Sequence, residues 1–303
     1  ASDWYLHGHD EDPAYDNVIL HVVWMHDAEI TRRDGINIPV LDVSQYVDPD
    51  LVQSYIKLFA VKNDSFINCE SQFSSIDSFK RDQWLEKLFF ERLELKSDRI
   101  KHLLEQKNND WEAAFFQLLA RSFGTKTNAD AFEQLASSME QPMVRRLAKD
   151  AFQLEAILLG QAGLLDVTKK DSYYKELFDE YAFAKAKHQL QASLTPMKFF
   201  RLRPANYPTV RISQLARLYQ NNPMLFGEVL LAKSRTDIHQ LFEVKAAKYW
   251  STHHVFDKET EEREKMLTSD FIDLLIINCI VPIKFMHARF MGNDKMEELL
   301  DLM

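Results

Sequence analysis

Chain reversals are in short supply here: seven glycines and nine prolines serve 303 residues. A turn-rich all-β fold needs more, so the chain is pushed toward long helices. Apolar residues at helical spacing say the same from about Pro49 onward. Leu51 to Ala60 reads as one helix. Phe79 to Leu95 reads as a second, with Trp84, Leu85, Leu88, Phe89 and Leu93 on its apolar side. Ser97 or Asp98 is expected to cap the next one. Trp111 to Ser122 should stop at Gly124, and Asn128 should cap Ala129 to Ser138. Gln153 to Leu165, QLEAILLGQAGLL, is apolar almost all round. It is therefore expected at the centre, with Gly160 and Gly163 admitting close neighbours. Further helices are predicted at about 171–190, 209–220, 223–233, 236–249 and 269–281.

The first forty-odd residues are patterned differently. Asn17 to Met25, NVILHVVWM, reads as a buried strand, and Ile38 to Val43, IPVLDV, as a second one beyond a turn at Arg33-Asp34-Gly35. Pro39 suits a strand start or an edge. Two strands alone are marginal in water, so a larger sheet is expected around them. The predicted fold class is mainly α: residues 1–45 are the remnant of an α/β sheet and 46–303 a large helical domain.

With 46% hydrophobic and 27% charged residues the composition is that of ordinary globular material. A pI near 5.6 argues against a wholly basic nucleic-acid coat, though not against a local basic groove. Cys69 and Cys279 form no Cys-x-x-Cys pair, which points to a reducing, cytoplasmic setting. The polar, acidic start ASDWYLHGHDEDP does not read as a signal peptide. The most apolar run, Phe271 to Met286, is shorter than the ~20 residues that span a bilayer. Asp273, Pro282 and Lys284 interrupt it, so it is predicted to be a buried helix ending near Pro282, with no membrane partner. The sequence opens on Ala inside patterned residues and closes at Met303 inside the helical run DKMEELLDLM, so both edges are expected to be cuts.

Against a net charge of −9, no Asp or Glu occurs between Glu180 and Glu228. Lys185, Lys187, Lys198, Arg201, Arg203, Arg211 and Arg217 all lie in that gap. Pro204 and Pro208 fix their own φ and push Arg203 and Tyr207 toward extended backbone. Ile212, Leu215 and Leu218 then begin a helix whose N-terminal N–H groups favour an anion. Arg201, Arg203, Asn206 and Arg211 are the candidate anion-binding residues, with DNA or RNA as the expected partner. The competing expectation is a non-catalytic helical interaction protein, in which these arginines brace the fold by pairing with carboxylates.

His7 and His9 form a His-x-His pair ahead of Asp10, Glu11 and Asp12. His21 sits in the first strand, on one face with Ile19, Val23 and Met25. Imidazoles among carboxylates suit Zn, Mn or Fe, so His7, His9 and His21 are the candidate metal ligands. Their spacing matches no specific ligand motif, and a lone His on an apolar face is more often a hydrogen-bonded core residue. Trp250, His253 and His254 make a second aromatic–imidazole group. No Gly-rich phosphate loop, nucleophile elbow or His-Glu-x-x-His is present.

Taken together, SDWYLHGHDEDPAYDNVILHVVWMHD, WEAAFFQLLARSFGTKTNADAFEQLA, LEAILLGQAGLL, FFRLRPANYPTVRISQLA, YWSTHHVF and IINCIVPIKF resemble the bacterial family called domain of unknown function 2851. The resemblance runs in order along nearly the whole chain. It implies an upstream segment with Gly-Pro-Asp-Phe and Val-Glu-(Ile/Leu)-His runs, and a cysteine-containing tail. Such a segment is similar to the PD-(D/E)XK nuclease arrangement, in which carboxylates hold a divalent metal, Mg or Mn. On that likeness Asn17 to Met25 would be a later strand of a nuclease sheet, with His7, His9 and His21 beside its centre. The metal-holding carboxylates are not in this sequence.

Overall fold

A computed structural model describes residues 1–60, 67, 70–165, 169–191 and 195–292. Cys69 and the run DKMEELLDLM lie outside the described residues. The chain is mainly helical, with two small two-stranded sheets among the described residues. It divides into two units, Ala1–Leu85 and Glu86–Met303.

The first unit holds the turn of helix α1 (Asp3–Leu6), strands β1 (His21–Val23) and β2 (Val40–Asp42), helices α2 (Pro49–Ala60) and α3 (Glu70–Phe73), and the start of α4 (Ser78–Gln106). Its small core is Trp4, Ile30 and Ile38. The Trp4 indole donates to the Thr31 carbonyl at 3.0 Å, which ties α1 to the loop between the strands. The Arg33-Asp34-Gly35 turn forms as expected: Gly35 takes φ +77 and Asp34 accepts the Ile36 N–H. β1 and β2 run parallel, His21 opposite Val40. The first strand is not buried as its sequence predicts. It forms only over His21–Val23, and Ile19 and Met25, which fall outside it, are 82% and 63% exposed. Parallel strands ordinarily have both faces covered.

The second unit begins within α4 and continues through α5 (Trp111–Phe123), α6 (Thr125–Ser137), α7 (Gln141–Leu147), α8 (Ala151–Gln161), α9 (Ser172–His188), α10 (Pro208–Asn221), α11 (Leu225–Leu231) and α12 (Arg235–Leu241). A short hairpin, β3 (His253–Val255) and β4 (Lys258–Glu259), precedes α13 (Ser269–Leu275), a π-helical turn Ile276–Ile280 and α14 (Val281–Phe290). Helix α8 is the axis of the core, buried on every side and packed against α7, α9 and α10. Gly160 lets the Tyr181 ring of α9 lie on its backbone: a Cβ there would fall 2.2 Å from the ring. Gly163 plays a different part, ending the helix at φ +69 with open space around it.

Several predicted boundaries move, each for a local reason. No break occurs near Ser97, because its hydroxyl donates back to the Leu93 carbonyl at 2.8 Å inside a continuous α4. Asn128 is not a cap, since α6 already starts at Thr125 and the Asn128 side chain is used elsewhere. The helix predicted over 236–249 stops at Leu241. Val244 to Ala246 instead run extended beside Lys265 to Leu267, with Ala246 N–H on the Lys265 carbonyl at 3.0 Å. Helix does not end at Pro282 either: the preceding π turn places the proline at the first positions of α14, where its missing N–H costs little. Ser269–Phe290 is therefore one helical run, long and apolar enough by length and composition to cross a membrane, with 56% of its apolar 18-residue stretch buried.

One acid lies inside this core. Glu155 of α8 is wholly buried and accepts from the Trp250 indole at 2.7 Å, the Ser213 hydroxyl at 2.7 Å and the Tyr173 hydroxyl at 2.9 Å. Burial pushes its carboxyl above the ordinary range, against the pull of those three donors. The network joins α8, α9, α10 and the 3₁₀ turn Lys248–Ser251.

Candidate functional site

The acid-free stretch folds as its prolines require. Arg203, ahead of Pro204, takes φ −69 and ψ 142, and Tyr207, ahead of Pro208, takes φ −63 and ψ 141. Between them Pro204–Asn206 makes one 3₁₀ turn, and Pro208 opens α10. The upstream arm is clamped by buried Asn128 of α6, whose Nδ2 donates to the Lys198 carbonyl and whose Oδ1 accepts the Lys198 N–H, both at 2.8 Å. The Phe199 ring meets Tyr207 edge-on at 5.2 Å and closes the loop on itself. Asn128→Ala would remove the partners of both the N–H and the C=O of Lys198. It is expected to lower stability by about 1–3 kcal/mol, read as a shift in the denaturant midpoint.

The four candidate anion-binding residues separate into two kinds. Arg211 is only 4% exposed. Its Nη1 donates to Gln214 Oε1 at 2.9 Å and its Nη2 to Asn206 Oδ1 at 2.6 Å, while the guanidinium lies 3.4 Å from the Phe271 ring centroid. No carboxylate pairs with it among the described residues. Burial lowers its pKa to about 10, as expected of a cation held by amides and a π face. Asn206 spends its Oδ1 on this contact, so Asn206 and Arg211 together support the loop from beneath.

Arg201 and Arg203 are of the other kind. Both are exposed, and neither makes an ion pair among the described residues. Arg201 holds φ +60, uncommon for a residue with a side chain, and its guanidinium lies 5.2 Å from the ring centroid of Phe200. Phe200 itself is 79% exposed. Lys198 is also exposed, so the loop bares three cations and an aromatic ring, with Arg201 placed at that ring. Phe200 was not among the residues singled out from sequence. The Phe-Phe pair is visible there, but which of the two is covered by Tyr207 is not.

In the first unit, Trp4 gathers the candidate metal-ligand histidines. The His9 and His21 rings each lie 5.5 Å from Trp4, His7 lies 5.5 Å from His9, and His9 packs on Tyr15 at 4.1 Å. Burial, the N-terminal charge and His9 together lower the pKa of His21. Among the described residues no group of three or more His, Cys, Asp or Glu side chains is placed to hold a metal ion. In the second unit, His253 is buried and stacked on Tyr249 at 4.1 Å, and the His254 carbonyl accepts from the Thr209 hydroxyl. Both histidines face packing partners.

The whole chain, residues 1–303, matches the family model described as Protein of unknown function (DUF2851). No curated protein and no solved structure matches it.

Proposed function

We propose that this chain, which belongs to the DUF2851 family over its whole length, is a nucleic-acid-binding protein. Its proline loop takes single-stranded DNA or RNA. The observation that carries this reading is the exposed pair Arg201 and Arg203, free of ion pairs among the described residues, in a loop that also bares Phe200. In a protein of net charge −9, cations left without carboxylates are available to phosphate. An aromatic ring beside a cation suits unstacked bases, since stacking works on any base and favours single strands. Arg211 and Asn206 hold the loop's shape rather than touching the strand.

The test is fluorescence anisotropy with short single- and double-stranded DNA and RNA across a salt series. Binding should fall steeply with salt and be tighter for single strands. Arg201→Ala and Arg203→Ala should each flatten the salt slope by about 1. Phe200→Ala should weaken binding by about 1–3 kcal/mol and leave the slope unchanged. Absence of binding at low salt, or arginine variants that bind like the parent, would overturn the proposal.

A further inference from the structure

A second site is built where α4, α5, the N-terminus of α6 and the C-terminal helices meet around a cavity of about 490 Å³. Its floor is apolar, made by Ile100, Leu118, Phe271, Leu274 and Pro282. Four cations stand at its edge: Lys96, Arg99, Arg121 and Lys126. No carboxylate is among its lining residues.

The four cations differ in what they have left to give. Arg99 and Arg121 are already engaged, both by Glu133 and Arg121 also by Asp130. Among the described residues Lys96 has only neutral partners. Its Nζ donates to the Ile277 carbonyl at 2.8 Å and to Asn278 Oδ1 at 2.9 Å, both in the π turn, where the widened spacing aims a carbonyl away from the helix ladder. An ammonium has three donors, so one N–H is left over. Burial, with the Arg92 charge behind it, lowers the Lys96 pKa to about 8. Lys126 is exposed and makes no ion pair among the described residues.

Backbone adds to this field. Thr125 and Lys126 bring the first turn of the 13-residue helix α6 to the cavity, and no side chain caps that turn. Its N–H groups and dipole favour negative charge. Thr125 is β-branched yet holds φ +52, a conformation that local packing has to enforce.

We propose that this cavity binds a small organic anion with an apolar body. Lys96, Lys126 and the first turn of α6 hold its carboxylate or phosphate, and Leu118, Phe271 and Leu274 cover its chain. The volume is that of an ordinary small-molecule site. Phe271 and α6 also support the arginine loop, but Arg203 is exposed and is not among the residues lining the cavity, so Arg203→Ala leaves the cavity intact.

Titration calorimetry on the whole chain tests it with four probes: octanoate, octyl phosphate, octanol and inorganic phosphate. One or both amphiphilic anions should bind at least tenfold tighter than octanol and tenfold tighter than phosphate, and their ratio identifies the headgroup. Lys96→Gln should weaken binding at least tenfold. So should Leu274→Glu, which places a carboxylate on a half-exposed residue at the mouth and spares the core. Circular dichroism verifies that each variant is folded, and Leu274→Glu decides alone if Lys96→Gln is not. The proposal is overturned if neither amphiphile binds, if octanol or bare phosphate binds equally well, or if the folded variants bind like the parent.

Discussion

Replacing Glu155 with alanine is expected to cost about 5 kcal/mol, because the change orphans three buried donors at once. The Trp250 indole, the Ser213 hydroxyl and the Tyr173 hydroxyl all end on this carboxylate, and each stranded donor costs about 1–3 kcal/mol. Ser213 also accepts the Ala247 N–H at 2.9 Å, so the loss reaches the segment after α12. A domain stable by about 5–15 kcal/mol has little left after such a change. Glu155→Gln keeps the shape and one acceptor oxygen but turns an NH₂ toward a donor. It should cost about half as much. Chemical denaturation gives both values, and near-ultraviolet circular dichroism reports whether Trp250 has lost its fixed surroundings. If Glu155→Ala unfolds at the parent's midpoint, the network contributes nothing to stability and the buried carboxylate needs another explanation.

Gly160→Ala is the second large effect, about 3 kcal/mol or more, from adding one methyl group. The new Cβ would stand 2.2 Å from Cγ of Tyr181, at the root of a ring that is itself only 7% exposed. The ring cannot swing clear, so α8 and α9 must separate or distort. Gly163→Ala, three residues on, tests the opposite case. Open space surrounds Gly163, and only its φ of +69 resists a side chain, so about 1 kcal/mol is expected. Tyr181→Ala in the Gly160→Ala background should recover part of the loss, giving a double-mutant coupling of opposite sign to an ordinary packing pair. Additive effects in that cycle would mean that the two helices do not meet at Gly160.

Both effects were half legible in the sequence. QLEAILLGQAGLL announces a helix buried on all sides, and a glycine in such a helix signals close approach. Which ring arrives, and that Glu155 is the acceptor for side chains from three other elements, depends on contacts between distant residues. Periodicity carries no record of those. The same limit explains the misread boundaries. Ser97, Asn128 and Pro282 each have the local chemistry of a helix end. Each is overruled by something local propensity does not include: a hydroxyl returned to its own helix, an amide spent on a distant loop, and a π turn that accommodates proline.

The basic loop divides along the same line. Residue order alone places seven cations in a stretch without acids, and proline sterics alone make Arg203 and Tyr207 extended. Those are consequences of composition and of φ/ψ restriction within a few residues. Arg203 and Arg211 are chemically the same residue, eight positions apart in the chain. One is open to solvent, while the other is sealed beneath Asn206 and against Phe271 of a helix far along the sequence. A side chain's accessibility is set by what packs on it, and what packs on it is decided only when the chain has folded.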